Sequence, residues 1–487
     1  MENPGASRPG ARIARAPEFG PLPCRGVAWP FVSLSTPSGM PSVARVAGLL
    51  GTLIALAIIG SSAVAVALPA VGEELDLDLA GRAWILTVFS LTFSISTALF
   101  GRLADLLGLR LPLRIGLVLF SAGSALAALA PGFEVLIAGR MLQGVGAGAV
   151  PVLALGVVAA RFGEDQRVRV LSGLTVIVAL VSGSGPLIGG IIAQVVSWRA
   201  VLALPVITLL IMEPVARLAP ATPAARGRID VRGAAMVAAL TLGVVLVLQS
   251  PATGTGAAVL AAASALAAGA GFLLARHVPR HPHGFLPLEL AGNRVYGLTC
   301  MAGLTLLAAY LGLLLAIPQM LSASQGWPPL LIGLALLPAA MLGAFTSRII
   351  GAHPPGENRY RLVALLAAGS TAGVLLVAAG QPNPVLLMLG MGLAAAGFAG
   401  GQVCLVDAVS TLVDPSVRGV ALGVFNLVFF TGGAVGTAAT GGLATMLGLP
   451  VALVAVAALP AAGMFAALTA DRWHPRPAPS SPAARKP

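Results

Sequence analysis

The chain is a succession of apolar segments with few charges, each about the length of a membrane-spanning helix, separated by short polar or basic stretches. A helix of about 20 residues crosses the ~30 Å hydrocarbon core of a bilayer. The sequence therefore predicts an all-α integral membrane protein with fourteen spans. Their limits are 46–70, 82–103, 112–130, 134–159, 169–194, 198–217, 231–250, 257–275, 295–320, 329–350, 361–380, 384–408, 418–444 and 449–469.

Composition excludes most other protein classes. Only 9% of the residues are charged and 57% are apolar, whereas a soluble domain is about 25% charged. No Walker loop, HExxH or GxSxG motif occurs, so neither an ATP-driven pump nor a membrane hydrolase is indicated, and the chain is not predicted to be an enzyme. The three cysteines form no metal or disulfide pattern, so no cofactor is expected. The net charge of +12 comes from singly scattered arginines, which does not indicate a nucleic-acid partner.

The distribution of basic residues predicts the orientation. With both termini on the cytoplasmic side, 26 of the 29 Lys and Arg residues lie in the tails or in the loops that follow spans 2, 4, 6, 8, 10 and 12. This matches the positive-inside rule. The exceptions are Arg82, Arg140 and Arg199, and the acidic residues between spans 1 and 2 fall outside. We therefore expect a multi-pass protein of the inner, cytoplasmic membrane.

The two ends of the chain differ from the apolar body. Residues 1–43 are rich in Gly, Pro, Ser and Arg, and residues 470–487 are rich in Pro, Ala and Ser. Such composition cannot form a packed core, so both segments are predicted to be disordered cytoplasmic tails. Met40 precedes the first span closely, so the true start is open between Met1 and Met40.

Three polar stretches interrupt the apolar pattern. The loop between spans 2 and 3 combines glycines, arginines and one acid, which suits a conformational latch between helices; its residues are Gly101, Arg102, Asp105, Gly108 and Arg110. Span 4 contains a charged residue inside the bilayer, followed by a glutamine, Arg140 and Gln143. Span 5 is interrupted by a run of small residues and a proline, where helices can kink or pack closely; it contains Gly185, Pro186, Gly189 and Gly190.

In this order, the three stretches resemble signatures of the major facilitator superfamily, and the third resembles the antiporter signature of its export branches. The span count resembles the fourteen-span drug:proton antiporter subfamily. The resemblance implies a six-helix bundle over 44–217, two linker spans with inner loops over 218–294, and a second six-helix bundle over 295–469. It also implies a monomer that exports lipophilic, drug- or antibiotic-like molecules by alternating access, driven by proton influx.

The sequence departs from the subfamily at its first span. The resemblance implies an aspartate where Gly60 stands here, so the sequence leaves open whether and where protons couple. A charged side chain inside a span costs about 2.5–3.5 kcal/mol on the insertion scale, which makes such residues functional candidates. The candidates for substrate binding or coupling are Arg140, Gln143, Asp407, Gln319, Asn426, Ser61 and Ser62.

Two alternatives stay open. One is a transporter with weak or different coupling whose substrates are lipid-like, neutral or anionic, because the spans contain few carboxylates that could bind a cation. A membrane sensor or scaffold without transport activity would contain the same spans.

Overall fold

The structure, a computed structural model, describes residues 43–220, 230–250, 257–282, 284–353, 355–380, 383–414 and 417–473. These ranges form α-helices joined by short turns and contain no strand. The helices are α1 (Val43–Glu74), α2 (Leu79–Leu107), α3 (Arg110–Ala128), α4 (Phe133–Arg161), α5 (Glu164–Gly183), α6 (Gly185–Val195), α7 (Trp198–Ala203), α8 (Thr208–Leu218), α9 (Val231–Gln249), α10 (Ala257–His277), α11 (Leu288–Gly292), α12 (Arg294–Gln325), α13 (Pro329–Ala352), α14 (Arg359–Ala379), α15 (Pro384–Leu412), α16 (Arg418–Leu447), α17 (Leu449–Val456) and α18 (Ala458–Trp473).

The predicted all-α membrane fold is confirmed. Thirteen helical segments of the described residues are long and apolar enough to cross a membrane, and each coincides with a predicted span. The remaining predicted span, 169–194, corresponds to α5 and α6, which are separated at Ser184. The architecture is compatible with fourteen crossings. The predicted tails 1–43 and 470–487 lie outside the described residues, except that α1 begins at Val43 and α18 continues to Trp473.

Close backbone contact holds neighbouring helices together within each bundle. A side chain at Gly123 of α3 would lie 2.7 Å from Cα of Gln143 on α4. In the second half of the chain, Gly373 of α14 and Gly390 of α15 face each other in the same way. In a bilayer the hydrophobic effect does not drive helices together. Small residues at their interfaces stabilise the contact because they allow close van der Waals packing.

The two bundles meet mainly where α1 packs on α12, α2 on α16, and α6 on α13, and α13 also contacts α5 and α1. The hairpin of α9 and α10 packs on the outside, where α9 contacts α2 and α16. Gln249 at the end of α9 donates a 3.2 Å hydrogen bond from Nε2 to the carbonyl oxygen of Ala80.

The interface between the bundles is closed at one end. We call the end that holds the turn between α1 and α2 the α1–α2 side, and the opposite end the α2–α3 side. Hydrogen bonds cross the interface from the α1–α2 side to its middle, between Arg82 and Gln319, Thr87 and Thr437, Ser94 and Thr431, and Gln194 and Leu330. Among the described residues, no hydrogen bond joins the last three turns of α2 to α16.

Candidate functional site

A cavity lies between the bundles, near the middle of the helices that enclose it. Helices α1, α2, α12, α15 and α16 contribute its lining. The lining side chains are mostly aliphatic or aromatic, and none of the described residues among them is charged. They are Ala57, Ile58, Ser61, Ser62, Phe89, Ser90, Phe93, Leu307, Tyr310, Leu311, Leu314, Phe398 and Phe430.

The aromatic rings around this cavity contact one another, one pair across the bundle interface and one pair within the second bundle. Phe93 of α2 packs edge-on against Phe430 of α16, with ring centroids 4.8 Å apart. Tyr310 of α12 stacks on Phe398 of α15 at 4.7 Å. Edge-to-face and stacked pairs at these separations are favourable beyond the area they bury. The cavity therefore presents flat, polarisable walls to a ligand.

Arg140 lies behind this cavity and is fully buried. Its Nε donates to the carbonyl oxygen of Ile85 at 3.0 Å, and its Nη1 donates to the carbonyl oxygen of Gly60 at 3.2 Å and to Oε1 of Gln143 at 2.5 Å. Its Cζ lies 4.2 Å from the ring centroid of Phe89, a cation–π contact. Among the described residues, no carboxylate pairs with it and Nη2 has no hydrogen-bond partner. Carbonyl dipoles and one ring thus compensate its charge.

Gly60 of α1 leaves room for a side chain beside Phe89. A Cβ at this position would lie 3.5 Å from Cζ of Phe89, an ordinary van der Waals distance. Because Arg140 bonds to the Gly60 carbonyl and stacks on the same Phe89 ring, a side chain at position 60 would reach the vicinity of the guanidinium. A carboxylate introduced at position 60 would therefore have space and an arginine neighbour.

The structure brings only some of the predicted polar residues to the cavity. Ser61 and Ser62 line it, and Oγ of Ser62 has no hydrogen-bond partner among the described residues. Gln143 lies behind it, where Nε2 donates to Oγ of Ser124 at 2.8 Å. Gln319 lies at the closed α1–α2 side. Asn426 is a half-buried residue of α16, one turn before Phe430.

Asp407 also lies away from the cavity, near the α2–α3 side of α15. Its carboxylate forms an ion pair with Arg359, whose Nη1 lies 3.1 Å from Oδ2, and the Asp407 side chain is 42% exposed. Arg359 begins α14 and also contacts the hydroxyl of Thr411. The pair therefore joins the ends of two adjacent helices of the second bundle.

The predicted latch residues make contacts of two kinds. Arg110 donates from Nε to the carbonyl oxygen of Ala216 and from Nη2 to that of Ala219, both at 3.2 Å, which ties the loop to the end of α8. In the described residues, Asp105 pairs with Arg102 of its own helix at 3.8 Å. Gly108 ends α2 with φ of 73°, a conformation that favours glycine.

Arg102 also reaches the loop that follows α10. Its Nη2 lies 3.4 Å from the carbonyl oxygen of Gly284. This loop is ordered by Asp230, which accepts hydrogen bonds from the backbone N of Gly233 and Phe285 and from Nε2 of His277. Partial burial raises the pKa of the Asp230 carboxyl, but these donors outweigh it, so the net pKa lies below its usual value.

The predicted antiporter-type stretch forms the break between α5 and α6. Gly189 lies against the backbone of Ala63 on α1, where a Cβ would approach the Ala63 Cα to 2.5 Å. On the other face, Gly190 lies against the backbone of Pro329 on α13, and Gly333 of α13 lies against the backbone of Pro186. The short helix α6 therefore fits between the two bundles only because these positions lack side chains.

Sequence reasoning did not identify several residues of the site. Tyr310, Phe398 and Phe430 lie in predicted spans that sequence order does not place side by side. Arg82, which appeared only as an exception to the orientation rule, bridges the bundles. The available signals were a tyrosine in the middle of an apolar span and an arginine near the end of another.

Comparisons with known proteins agree with this geometry. The model of the Major Facilitator Superfamily matches residues 50–437. The multidrug resistance protein Stp of Mycobacterium tuberculosis is 27% identical over 385 residues, covering 78% of this chain and 71% of Stp. The lincomycin resistance protein of Streptomyces lincolnensis is 28% identical over 411 residues, covering 80% of this chain and 82% of that protein.

Solved structures show the same fold. A bacterial homologue of the human lysosomal transporter Spinster, in an inward-facing and unoccupied conformation, superposes with a TM-score of 0.63 at 13% identity, covering 90% of this chain and all of the other. The human organic anion transporter MFSD10 superposes with a TM-score of 0.58 at 16% identity, covering 88% of this chain and all of the other. The chain belongs to the major facilitator superfamily, whose members are membrane transporters and not enzymes.

Proposed function

We propose that the protein exports lipophilic small molecules, drug- or antibiotic-like in character, by alternating access of the cavity between its bundles. The resistance proteins among its relatives support this direction and this substrate class. We further propose that it acts as a monomer in the cytoplasmic membrane, with both termini inside. The predicted limits 44–217, 218–294 and 295–469 would then separate the two bundles and the linker.

The observation that carries the proposal is the chemistry of the cavity wall. Aromatic and aliphatic side chains from both bundles surround the cavity, and a mostly apolar lining with a few polar groups is typical of small-molecule sites. Among the described lining residues, the hydroxyls belong to three serines and Tyr310. Because no charged residue lines the described wall, we propose uncharged, flat substrates rather than cations.

The uneven closure of the interface supports alternating access. In the proposed orientation, the α1–α2 side is external, so the hydrogen bonds between Arg82 and Gln319 and between Thr87 and Thr437 close the outer end. The inner end lacks such bonds in the described residues. This arrangement corresponds to a state that loads substrate from the cytoplasm or the inner leaflet.

Proton coupling requires an acid that can gain and lose its partner. We propose Asp407 for this role, since it lies within α15 and pairs with Arg359 on α14. Protonation of Asp407 removes its negative charge and would release Arg359, loosening the two helix ends. Arg140 is proposed to preserve the geometry of the cavity, because it binds backbone carbonyls of α1 and α2 behind Phe89.

Transport into inside-out membrane vesicles tests the proposal. We expect a neutral lipophilic dye to accumulate when the vesicle interior is made acidic, and the accumulation to collapse when a protonophore removes the gradient. A vesicle preparation without the protein is the control. If neutral, cationic and anionic dyes all fail to accumulate under a pH gradient, the protein is not such an exporter and a sensor or scaffold role is favoured.

A further inference from the structure

We propose that the hairpin of α9 and α10 contains a binding site for one anionic phospholipid of the cytoplasmic leaflet, separate from the transport cavity. The site is a groove between the two helices, on the outside of the molecule. Its lining residues are Arg232, Ala235, Met236, Ala239, Ala265, Leu266, Gly269, Ala270 and Leu273.

The shape of the groove follows from the spacing of its residues. The lining positions of α9 recur at intervals of three and four residues, and those of α10 recur in the same way, so each set forms one stripe. The helices cross in close backbone contact at Gly243, where a Cβ would lie 2.6 Å from the backbone N of Ala267. Between this crossing and the α2–α3 side, the alanines and Gly269 leave the groove open, since nothing lies within 4 Å of a Cβ built on Gly269.

The depth of the groove matches a single leaflet. From Arg232 to Ala239, α9 rises about 10 Å, and from Ala265 to Leu273 α10 rises about 12 Å, at 1.5 Å per residue. Half of the ~30 Å hydrocarbon core is about 15 Å. An acyl chain that starts at the arginine end would therefore lie in the groove for most of its leaflet, and its end would reach the crossing at Gly243.

Charge at the mouth of the groove selects the head group. Arg232 is exposed, and the structure gives it no ion pair within the described residues. Arg276 lies three residues beyond Leu273, on the same stripe of α10, and its guanidinium stacks on Phe272 at 5.3 Å. Asp230, the nearby acid, is held by His277, Gly233 and Phe285. Two arginines at the cytoplasmic end of an apolar groove complement the phosphate of an anionic lipid.

Native mass spectrometry of the full-length protein tests this site. The protein is released from nanodiscs that contain equal amounts of phosphatidylglycerol and phosphatidylcholine, and the retained lipids are counted. We expect preferential retention of one phosphatidylglycerol. We expect Arg232→Gln and Arg276→Gln to reduce that preference about fivefold each. Arg348→Gln, which removes an exposed arginine at the same membrane face of α13, is the matched control and is expected to keep it.

A second pair of variants tests the groove itself. Gly269→Leu fills the groove without a backbone clash, and it is expected to lower lipid retention. Ala268→Leu, at an exposed position of α10 outside the lining, is expected to leave it unchanged. Thermal unfolding confirms that all variants are folded. Equal retention of the two lipids, unchanged retention after both arginine changes, or a dimer that Gly269→Leu dissociates would overturn the proposal.

Discussion

Nη1 of Arg82 on α2 donates a 2.6 Å hydrogen bond to Oε1 of Gln319 on α12, across the interface of the two bundles. Arg82 also donates from Nε to the carbonyl oxygen of Leu77. The arginine therefore joins the turn after α1, helix α2 and the second bundle at one point. A cross-bundle contact of this kind must break whenever the α1–α2 side opens.

Removing this contact is expected to favour the state in which the bundles are open at the α1–α2 side. A hydrogen bond to a charged group contributes about 1.5–3 kcal/mol, so Arg82→Gln should shift the opening equilibrium at least about tenfold. A cysteine placed at Ser90 in the cavity reports the shift through its labelling rate with a membrane-impermeant reagent. Arg199→Gln is the control, because Arg199 pairs with Glu74 within the first bundle. Equal labelling rates in the two variants would contradict the assigned role of Arg82.

Arg140 provides a test that separates stability from transport. It is fully buried and lacks a carboxylate partner among the described residues, so burying its charge is costly. Arg140→Met is expected to keep or raise the melting temperature while reducing dye efflux more than about tenfold, since it loses several charge-assisted hydrogen bonds. Arg140→Ala is expected to abolish efflux with normal membrane insertion. Unaltered efflux in both variants would show that Arg140 only packs the helices.

Gly60 allows the missing acid to be restored. A Cβ fits at this position beside Phe89, and the added carboxylate of Gly60→Asp can reach Arg140. We expect this variant to add cationic dyes to the substrate range and to steepen the pH dependence of uptake into vesicles. Gly60→Asn has nearly the same size without the charge and should leave both properties as in the parent protein. An identical response of the two variants would exclude a charge effect.

The pH profile of transport tests Asp407. Asp407→Asn cannot gain or lose a proton, so it is expected to flatten the dependence of uptake on the pH gradient. Glu357→Gln alters an exposed acid at the same membrane face and is the control. A profile for Asp407→Asn that follows the parent protein would move the coupling site to another residue.

The aromatic wall predicts a graded loss of affinity. Tyr310 lines the cavity, and an aromatic pair of the kind that a flat ligand would form with its ring is worth about 0.5–1.5 kcal/mol beyond the buried area. Tyr310→Ala is therefore expected to raise the half-saturating concentration of a flat lipophilic dye about two- to tenfold. Tyr310→Phe retains the ring and should change it little. A similar increase in both variants would indicate that the hydroxyl, rather than the ring, contacts the substrate.

The fold was predictable because hydrocarbon thickness sets the length of each span, and a span is a local property of the sequence. Thirteen helical segments match the predicted limits, although several are longer than predicted. For example, α12 continues to Gln325 rather than ending at 320, because a helix can extend beyond the hydrocarbon core. The interruption of span 5 also followed from local residues, and the structure divides it at Ser184.

The cavity was harder to predict because its walls come from helices far apart in the chain. Ser61 and Ser62 were candidates as polar residues of an apolar span, and both line the cavity. The rings of Tyr310 and Phe398 are 88 positions apart in sequence and gave no local sign of their stacking. Gln319 was also a candidate because it is a polar residue of an apolar span, but it does not line the cavity and instead accepts a hydrogen bond from Arg82 at the closed end.

The seam between α6 and α13 has a mechanical consequence. Gly190 rests on the backbone of Pro329 and Gly333 rests on the backbone of Pro186, so each helix offers the other a smooth face. Neither glycine has a side chain that interlocks with the facing helix. No rotamer at these two positions therefore has to change when the helices slide or separate. The two bundles can therefore move relative to each other at the contact between α6 and α13. The hydrogen bonds that cross the interface elsewhere, such as the one between Arg82 and Gln319, oppose this movement.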